Sequence, residues 1–274
     1  MSILEKPIIR EFLRTISDGN AMGWHELNGG NLSYRLSEED IDILKPHFKN
    51  RYKTDWLDIG VDCRELAGEY FIFTASGKFF RNTLTDPYSH IGIIKICDKG
   101  TQWKTVWGFA GGGRPTCELP THLLNHAVRK KATNGKNRAI YHCHPRAVLT
   151  MTFVIPLTAR DFSRALWQSM TECVIVFPRG VGVVPWMVPG TTEAAVATGK
   201  LMETYTAAVW AHHGLFASGD TLQYAFGLTE TIEKAADIHL RALSCDKIIQ
   251  TISDSELRAA AKAYGQVPNE DFLD

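Results

Sequence analysis

Apolar positions open the chain at helical spacing. Ile8, Ile9, Phe12, Leu13 and Ile16 fall on one face, and Pro7 suits a first helical turn. Asn28-Gly29-Gly30-Asn31 then reads as a turn, and Leu32 to Leu36 alternates as a strand does. Tyr70 to Thr74, Ile91 to Cys97 and Trp103 to Phe109 are compact aromatic and β-branched runs, each a strand candidate. Thr116 stands where an N-cap belongs, ahead of CELPTHLLNHAVRKKA, with Pro120 tolerable in the first turn. Arg138 to His144 predicts a strand. Ala147 to Val154 and Ala159 to Met170 predict helices. Cys173 to Phe177 and Val181 to Trp186 predict two strands. Thr192 to Ala207 predicts a helix, and Ala208 to His212 a short strand. Thr221 to Ile249 carries helical periodicity, and Ser253 caps a last helix through Tyr264.

Strands and helices mix without strict βαβ alternation. The pattern predicts an α/β chain with a central, largely antiparallel sheet covered by helices. No GxGxxG follows a strand and no Walker loop is present, so nucleotide binding has no support. The stretch from about 37 to 68 is irregular and reads as a surface excursion. No repeat or linker divides the chain, and one domain over 1–274 is expected.

Composition narrows the class. The chain has 274 residues, 45% hydrophobic and 22% charged, enough for a sizeable core. Its formal net charge is zero, which argues against nucleic acid or an anionic membrane as partner. Charges interrupt the apolar residues of the first segment, and no apolar run is long enough to span a bilayer. A soluble cytoplasmic protein is expected. The six cysteines are scattered without a CxxC pair and read as free thiols.

The strongest chemical signal is Tyr141-His142-Cys143-His144-Pro145. At a strand end, His142 and His144 project to one face because side chains alternate. Two polar residues at a strand end is the plainer alternative. A third ligand is offered by Trp210-Ala211-His212-His213-Gly214, where His213, beside the glycine, is the choice. Three imidazoles with an open position are the arrangement of a catalytic zinc ion. His122 and His126, four apart on the expected helix, rank lower: the first near the site, the second structural. Glu118 is either a helix-start carboxylate favoured by the dipole or a general base aimed at the metal, and local sequence does not choose. The NGGN turn and Ser76-Gly77-Lys78 are glycine-rich turns whose N–H groups suit an anion, together suggesting a phosphorylated substrate. Lys78 beside such a turn raises Schiff-base chemistry as a rival. Glu172 is a second acid/base candidate only if the fold brings it to the metal.

These motifs carry a resemblance. NGGNLS, SGKFFRN, PTCELPTH, ATNGKNRAIYHCHP, LWQSMTECVIVFP, VPWMVPGT and HHGLFASG span nearly the whole chain in order. The chain resembles class II, metal-dependent sugar-phosphate aldolases of the aldolase/epimerase/adducin-like superfamily, and within them the branch acting on rhamnulose phosphate. The resemblance implies a three-layer fold and Zn2+ held by His142, His144 and His213. It implies Glu118 as acid/base, and Glu172 as a carboxylate reaching a neighbouring subunit's site. Asn28, Gly29, Asn31, Ser76, Gly77 and Thr116 would bind substrate and its phosphate, and the assembly would be a homotetramer. The implied reaction is reversible cleavage of L-rhamnulose 1-phosphate to dihydroxyacetone phosphate and L-lactaldehyde, with zinc stabilising the enediolate. A fuculose-phosphate aldolase, a ribulose-5-phosphate 4-epimerase and a non-catalytic adducin-like module are the alternatives. One departure stands out: the family pattern carries Ser where this chain has Cys117, a weaker hydrogen-bond donor.

Overall fold

The computed structural model describes residues 2–48 and 55–274. Among the described residues nine strands form one sheet: β1 Asn31–Arg35, β2 Leu57–Asp58, β3 Tyr70–Thr74, β4 Ile91–Ile96, β5 Gln102–Gly108, β6 Ala139–Cys143, β7 Gly182–Val184, β8 Ala207–Trp210 and β9 Gly214–Gly219. Their order is β2-β5-β4-β3-β1-β6-β9-β8-β7. Every pairing is antiparallel except β7 with β8. The helices are α1 Pro7–Ala21, α2 Glu38–Leu44, α3 Pro87–His90, α4 Leu119–Ala132, α5 Arg146–Val154, α6 Ala159–Ser169, α7 Thr171–Val176, α8 Thr192–Met202, α9 Leu222–Leu243 and α10 Asp254–Ala263. The largely antiparallel sheet covered by helices is the architecture the alternation predicts.

Strand parity sorts the side chains into two layers of core. Leu32, Tyr34, Tyr141 and Cys143 point to the side where α1 and α9 lie. Ala207, Val209, Leu215 and Ala217 continue that side against α5, α6 and α9. Phe71, Phe73, Ile94 and Ile96 face the other way, toward α4. Ile140, Ala208, Trp210 and Phe216 extend that second side beneath α8. The result is helix, sheet, helix in three layers.

Local chemistry sets the helix starts. Thr158, Thr191 and Thr221 cap α6, α8 and α9, and Ser37 and Ser253 close capping boxes with Asp40 and Glu256. Ser37 places α2 inside the expected irregular stretch, of which residues 49–54 lie outside those described.

Several expectations need correction. The run Cys173–Phe177 is not a strand but lies in and just after α7. Cys173, Val174 and Phe177 are buried at spacing i, i+1, i+4, so packing against the α6 and α9 side overrides β propensity. Thr116 does not cap α4 directly; Glu118 holds the N-cap position, and the Thr116 hydroxyl accepts from the Glu118 N–H at 3.2 Å. Helix α8 stops at Met202 because Ala207 joins the sheet opposite Ala217. Helix α9 stops at Leu243, and residues 244–250 after it are all exposed, Ile249 at 87%. Strand β9 follows His213 directly, where no strand is expected.

Candidate metal and acid/base site

Register brings the site residues to one end of the sheet. Strand β1 begins at Asn31, directly opposite His142 near the end of β6, so both side chains share the α4 face. His142 also pairs with Phe216 of β9, whose ring stacks on it at 4.2 Å between centroids. The Asn28–Asn31 turn enters β1 at this end, and the Ser76-Gly77 turn leaves β3 there. An Ala75–Pro115 bridge and the Ser76 N–H donating to Arg114 O lay the Ser76 turn beside the segment that carries Thr116 and Glu118.

His142, His144 and His213 converge, with one ring nitrogen from each within 4.8 Å of the others. Each comes from a different local device: the last turn of a strand, the residue beyond it, and the hairpin between β8 and β9. His212 does not join them. It sits in that hairpin with φ 59° and its Nδ1 is 3.0 Å from the Thr152 hydroxyl of α5, on the opposite side.

The donor set suits a divalent cation. His142 Nδ1 donates to Leu215 O at 3.1 Å, which leaves Nε2 bare. His144 Nδ1 donates to Glu26 Oε1 at 2.6 Å, leaving a buried Nε2 with no partner. His142 Nε2 and His213 Nε2 stand 3.2 Å apart. Two ring nitrogens at this separation can face one cation. Burial holds His142 well below the usual histidine range and lowers His213 to about 4, so these two imidazoles are neutral, as ligation requires.

Glu118 lies beside this group. Its Oε2 is 3.6 Å from His142 Nε2, and the side chain is buried. Burial pushes its carboxyl up to about 7, opposed by the Asn31 amide, which donates to Oε2 at 2.8 Å. A carboxyl poised near neutrality is suited to moving protons in both directions.

The turns approach closely. A side chain at Gly29 would meet the His144 ring at 2.9 Å, and one at Gly30 would meet His25 Nδ1 and the His142 carbonyl. Asn28, Ser76 and Gly77 are exposed, and Thr116 is buried. Asn31 turns its side chain inward, onto Glu118 and His122. Cys117 is exposed and Lys78 half-buried. Glu172 lies exposed at the start of α7, and among the described residues no hydrogen bond or ion pair joins it to this group.

Sequence reasoning missed Glu26, the partner of His144, and Ser33, which lies between His122 and His126. Nothing around Glu26 marks it. Ser33 carried a signal: it is the polar position of an alternating strand, expected at solvent and found fully buried beneath α4.

Comparison with known proteins now bears on these residues. The model of the class II aldolase and adducin N-terminal domain matches residues 10–240. This chain belongs to the class II aldolase and adducin family. It is an aldolase, a lyase of the metal-dependent class. It is 40% identical over 263 residues to the rhamnulose-1-phosphate aldolase of Listeria monocytogenes, covering 96% of this chain and 95% of that one. It is 40% identical over 272 residues to the rhamnulose-1-phosphate aldolase of Mannheimia succiniciproducens, covering 99% of both. The crystal structure of a sugar-phosphate aldolase from Thermotoga maritima aligns with a TM-score of 0.71 and 30% identity, covering 88% of this chain and 97% of that one.

Proposed function

We propose that this aldolase reversibly cleaves L-rhamnulose 1-phosphate to dihydroxyacetone phosphate and L-lactaldehyde, with His142, His144 and His213 as ligands of one Zn2+. The observation that carries the reading is the convergence of three imidazoles beside the buried carboxyl of Glu118. The names of relatives 40% identical over 96% and 99% of this chain support this choice of sugar.

A zinc ion so held supplies Lewis acidity toward substrate oxygens and stabilises the negative charge that bond cleavage develops. As the carbon–carbon bond breaks, the hydroxyl that becomes the aldehyde carbonyl gives its proton to solvent, and Glu118 delivers a proton to the carbon of the dihydroxyacetone phosphate fragment. In the condensation direction it removes that proton again. Asn31 fixes the carboxylate through its amide rather than touching phosphate with its side chain. Asn28, Gly29, Ser76, Gly77 and Thr116 receive the phosphate, with the Asn28 amide and the Ser76 and Thr116 hydroxyls as donors, since the Gly29, Ser76 and Thr116 N–H groups already donate to carbonyls. Cys117 weakens any side-chain contribution there relative to a serine, while its N–H is unaffected. Lys78 is a phosphate contact in this reading, and no Schiff base is needed.

Self-association into a homotetramer is part of the proposal. Phe153, Trp186 and Val188 are each more than half exposed, apolar side chains that a subunit contact would cover. Glu172 would act only across such a contact. No helix among the described residues is long and apolar enough to cross a membrane. A cytoplasmic enzyme of one domain is consistent with that.

Substrate profiling tests the assignment. Purified enzyme with zinc is offered L-rhamnulose 1-phosphate, L-fuculose 1-phosphate and ribulose 5-phosphate, and dihydroxyacetone phosphate is measured. The reading requires the highest kcat/KM for the rhamnulose ester; a preference for fuculose 1-phosphate would reassign the sugar.

A further inference from the structure

Helix α4 buries more polar chemistry than the reaction above employs. Glu118, just ahead of its first residue, His122 and His126 stand in an i, i+4, i+8 row against Asn31 and Ser33 of β1. Ser33, His122 and His126 are fully buried. Hydrogen bonds join all five side chains in one line. Asn31 Nδ2 donates to Glu118 Oε2 at 2.8 Å, and Asn31 Oδ1 meets His122 Nε2. Ser33 Oγ lies 2.6 Å from His122 Nδ1 and 2.8 Å from His126 Nε2.

With the amide as it stands, protons fit this line in only one way. Asn31 Oδ1 is an acceptor, so His122 Nε2 carries the proton. His122 is neutral, so its Nδ1 is bare and accepts the Ser33 hydroxyl proton. The Ser33 oxygen then accepts from His126 Nε2–H. His126 Nδ1 is left bare, and that atom is indeed buried without a partner. Every donor points toward Glu118. Reversing the amide would aim Asn31 Oδ1 at the carboxylate and force both histidines into the other tautomer, burying an unpaired N–H at His126.

An apolar interface would serve stability better. Two buried imidazoles, one with an orphan nitrogen, are a cost to folding. The rings of Phe71, Phe73 and Phe216 enclose them, so the bonds act in a low-dielectric setting where they are strong. We propose that His122, Ser33 and His126 are positioning residues for the aldolase reaction, holding the Asn31 amide in the one orientation that donates to Glu118. This rests on the reading of Glu118 as the acid/base group.

Three measurements on the zinc-loaded enzyme test it. Ser33→Ala breaks the line between the two histidines; kcat is expected to fall about tenfold with KM within about twofold and zinc content unchanged. His122→Gln keeps an N–H for Asn31 and is expected to retain most of the activity that His122→Leu loses, whereas a merely structural histidine would not distinguish them by kcat alone. Solid-state NMR of 15N-histidine-labelled enzyme, assigned with His122→Gln and His126→Gln, reads the tautomers directly without requiring an active variant. Both residues are expected neutral with the proton on Nε2. A proton on Nδ1 of either overturns the proposal. Glu118→Gln separates the two readings. If it abolishes turnover while Ser33→Ala keeps the wild-type kcat, the positioning role fails alone. If Glu118→Gln turns over at the wild-type rate, the acid/base reading fails first.

Discussion

The two faces of the same central strands are built on opposite principles. Toward α1 and α9, β1 and β6 present Leu32, Tyr34, Tyr141 and Cys143, packed on Ile9, Phe12 and Ile16. Toward α4 they present Asn31, Ser33 and His142, packed on Glu118, His122 and His126. Both faces are equally buried. One gains stability from apolar area removed from water. The other desolvates ionisable groups, a cost it recovers only partly through hydrogen bonds, and in doing so raises Glu118 and lowers the histidines. Alternation along a single strand thus separates the fold's support from its chemistry by one residue.

The largest break in this contrast comes from the polar side. Glu118→Gln should lower kcat for cleavage by about 10²- to 10⁴-fold. Its thermal unfolding should match or exceed the wild type, since a buried carboxyl is replaced by a neutral amide. On the apolar side, Phe12→Ala should invert the pattern. It should cost about 3–5 kcal/mol of stability in urea unfolding, with kcat of the folded protein unchanged. A fall in kcat for Phe12→Ala would mean that the two faces are not independent.

A smaller effect concerns pH. Burial lowers folded His122 to about 3 from an ordinary 6.5. The unfolded chain therefore binds more protons between these values, and the stability from this group is complete above about 6.5 and lost as pH falls toward 3. Glu118, raised to about 7 from 4.5, has the opposite sign: its contribution is greatest below 4.5 and is lost as pH rises through 7. In metal-free protein, His122→Gln should lose less of its urea midpoint between pH 7.5 and pH 4.5 than the wild type, and Glu118→Gln should lose more. Parallel curves for all three would show that burial of this row does not perturb it.

The two faces also differ in how well the sequence announces them. Compact runs such as Tyr70–Thr74 and the Ile8–Ile16 stripe mark the apolar side, because periodicity reports what water avoids. The histidine pairs announce themselves by type and spacing. The buried polar partners do not. Ser33 looks like a solvent position until α4 is laid across it, and Glu26 meets His144 from 118 residues away. The same logic explains α7, where Cys173, Val174 and Phe177 have β-rich composition but are needed at helical spacing by the elements they pack on. Strand β9 escapes notice because Gly214–Gly219 begins and ends in glycine, and its neighbours β6 and β8 define it.

The proposed reaction depends on a zinc ion at His142, His144 and His213. The direct measurement is cleavage of L-rhamnulose 1-phosphate before and after EDTA, with metal content determined in parallel and borohydride added to a matched sample. The account requires activity to vanish with the loss of one zinc per chain and to return when zinc is restored, with no covalent adduct. Undiminished cleavage after complete metal removal, with a borohydride-trapped adduct on Lys78, would contradict it.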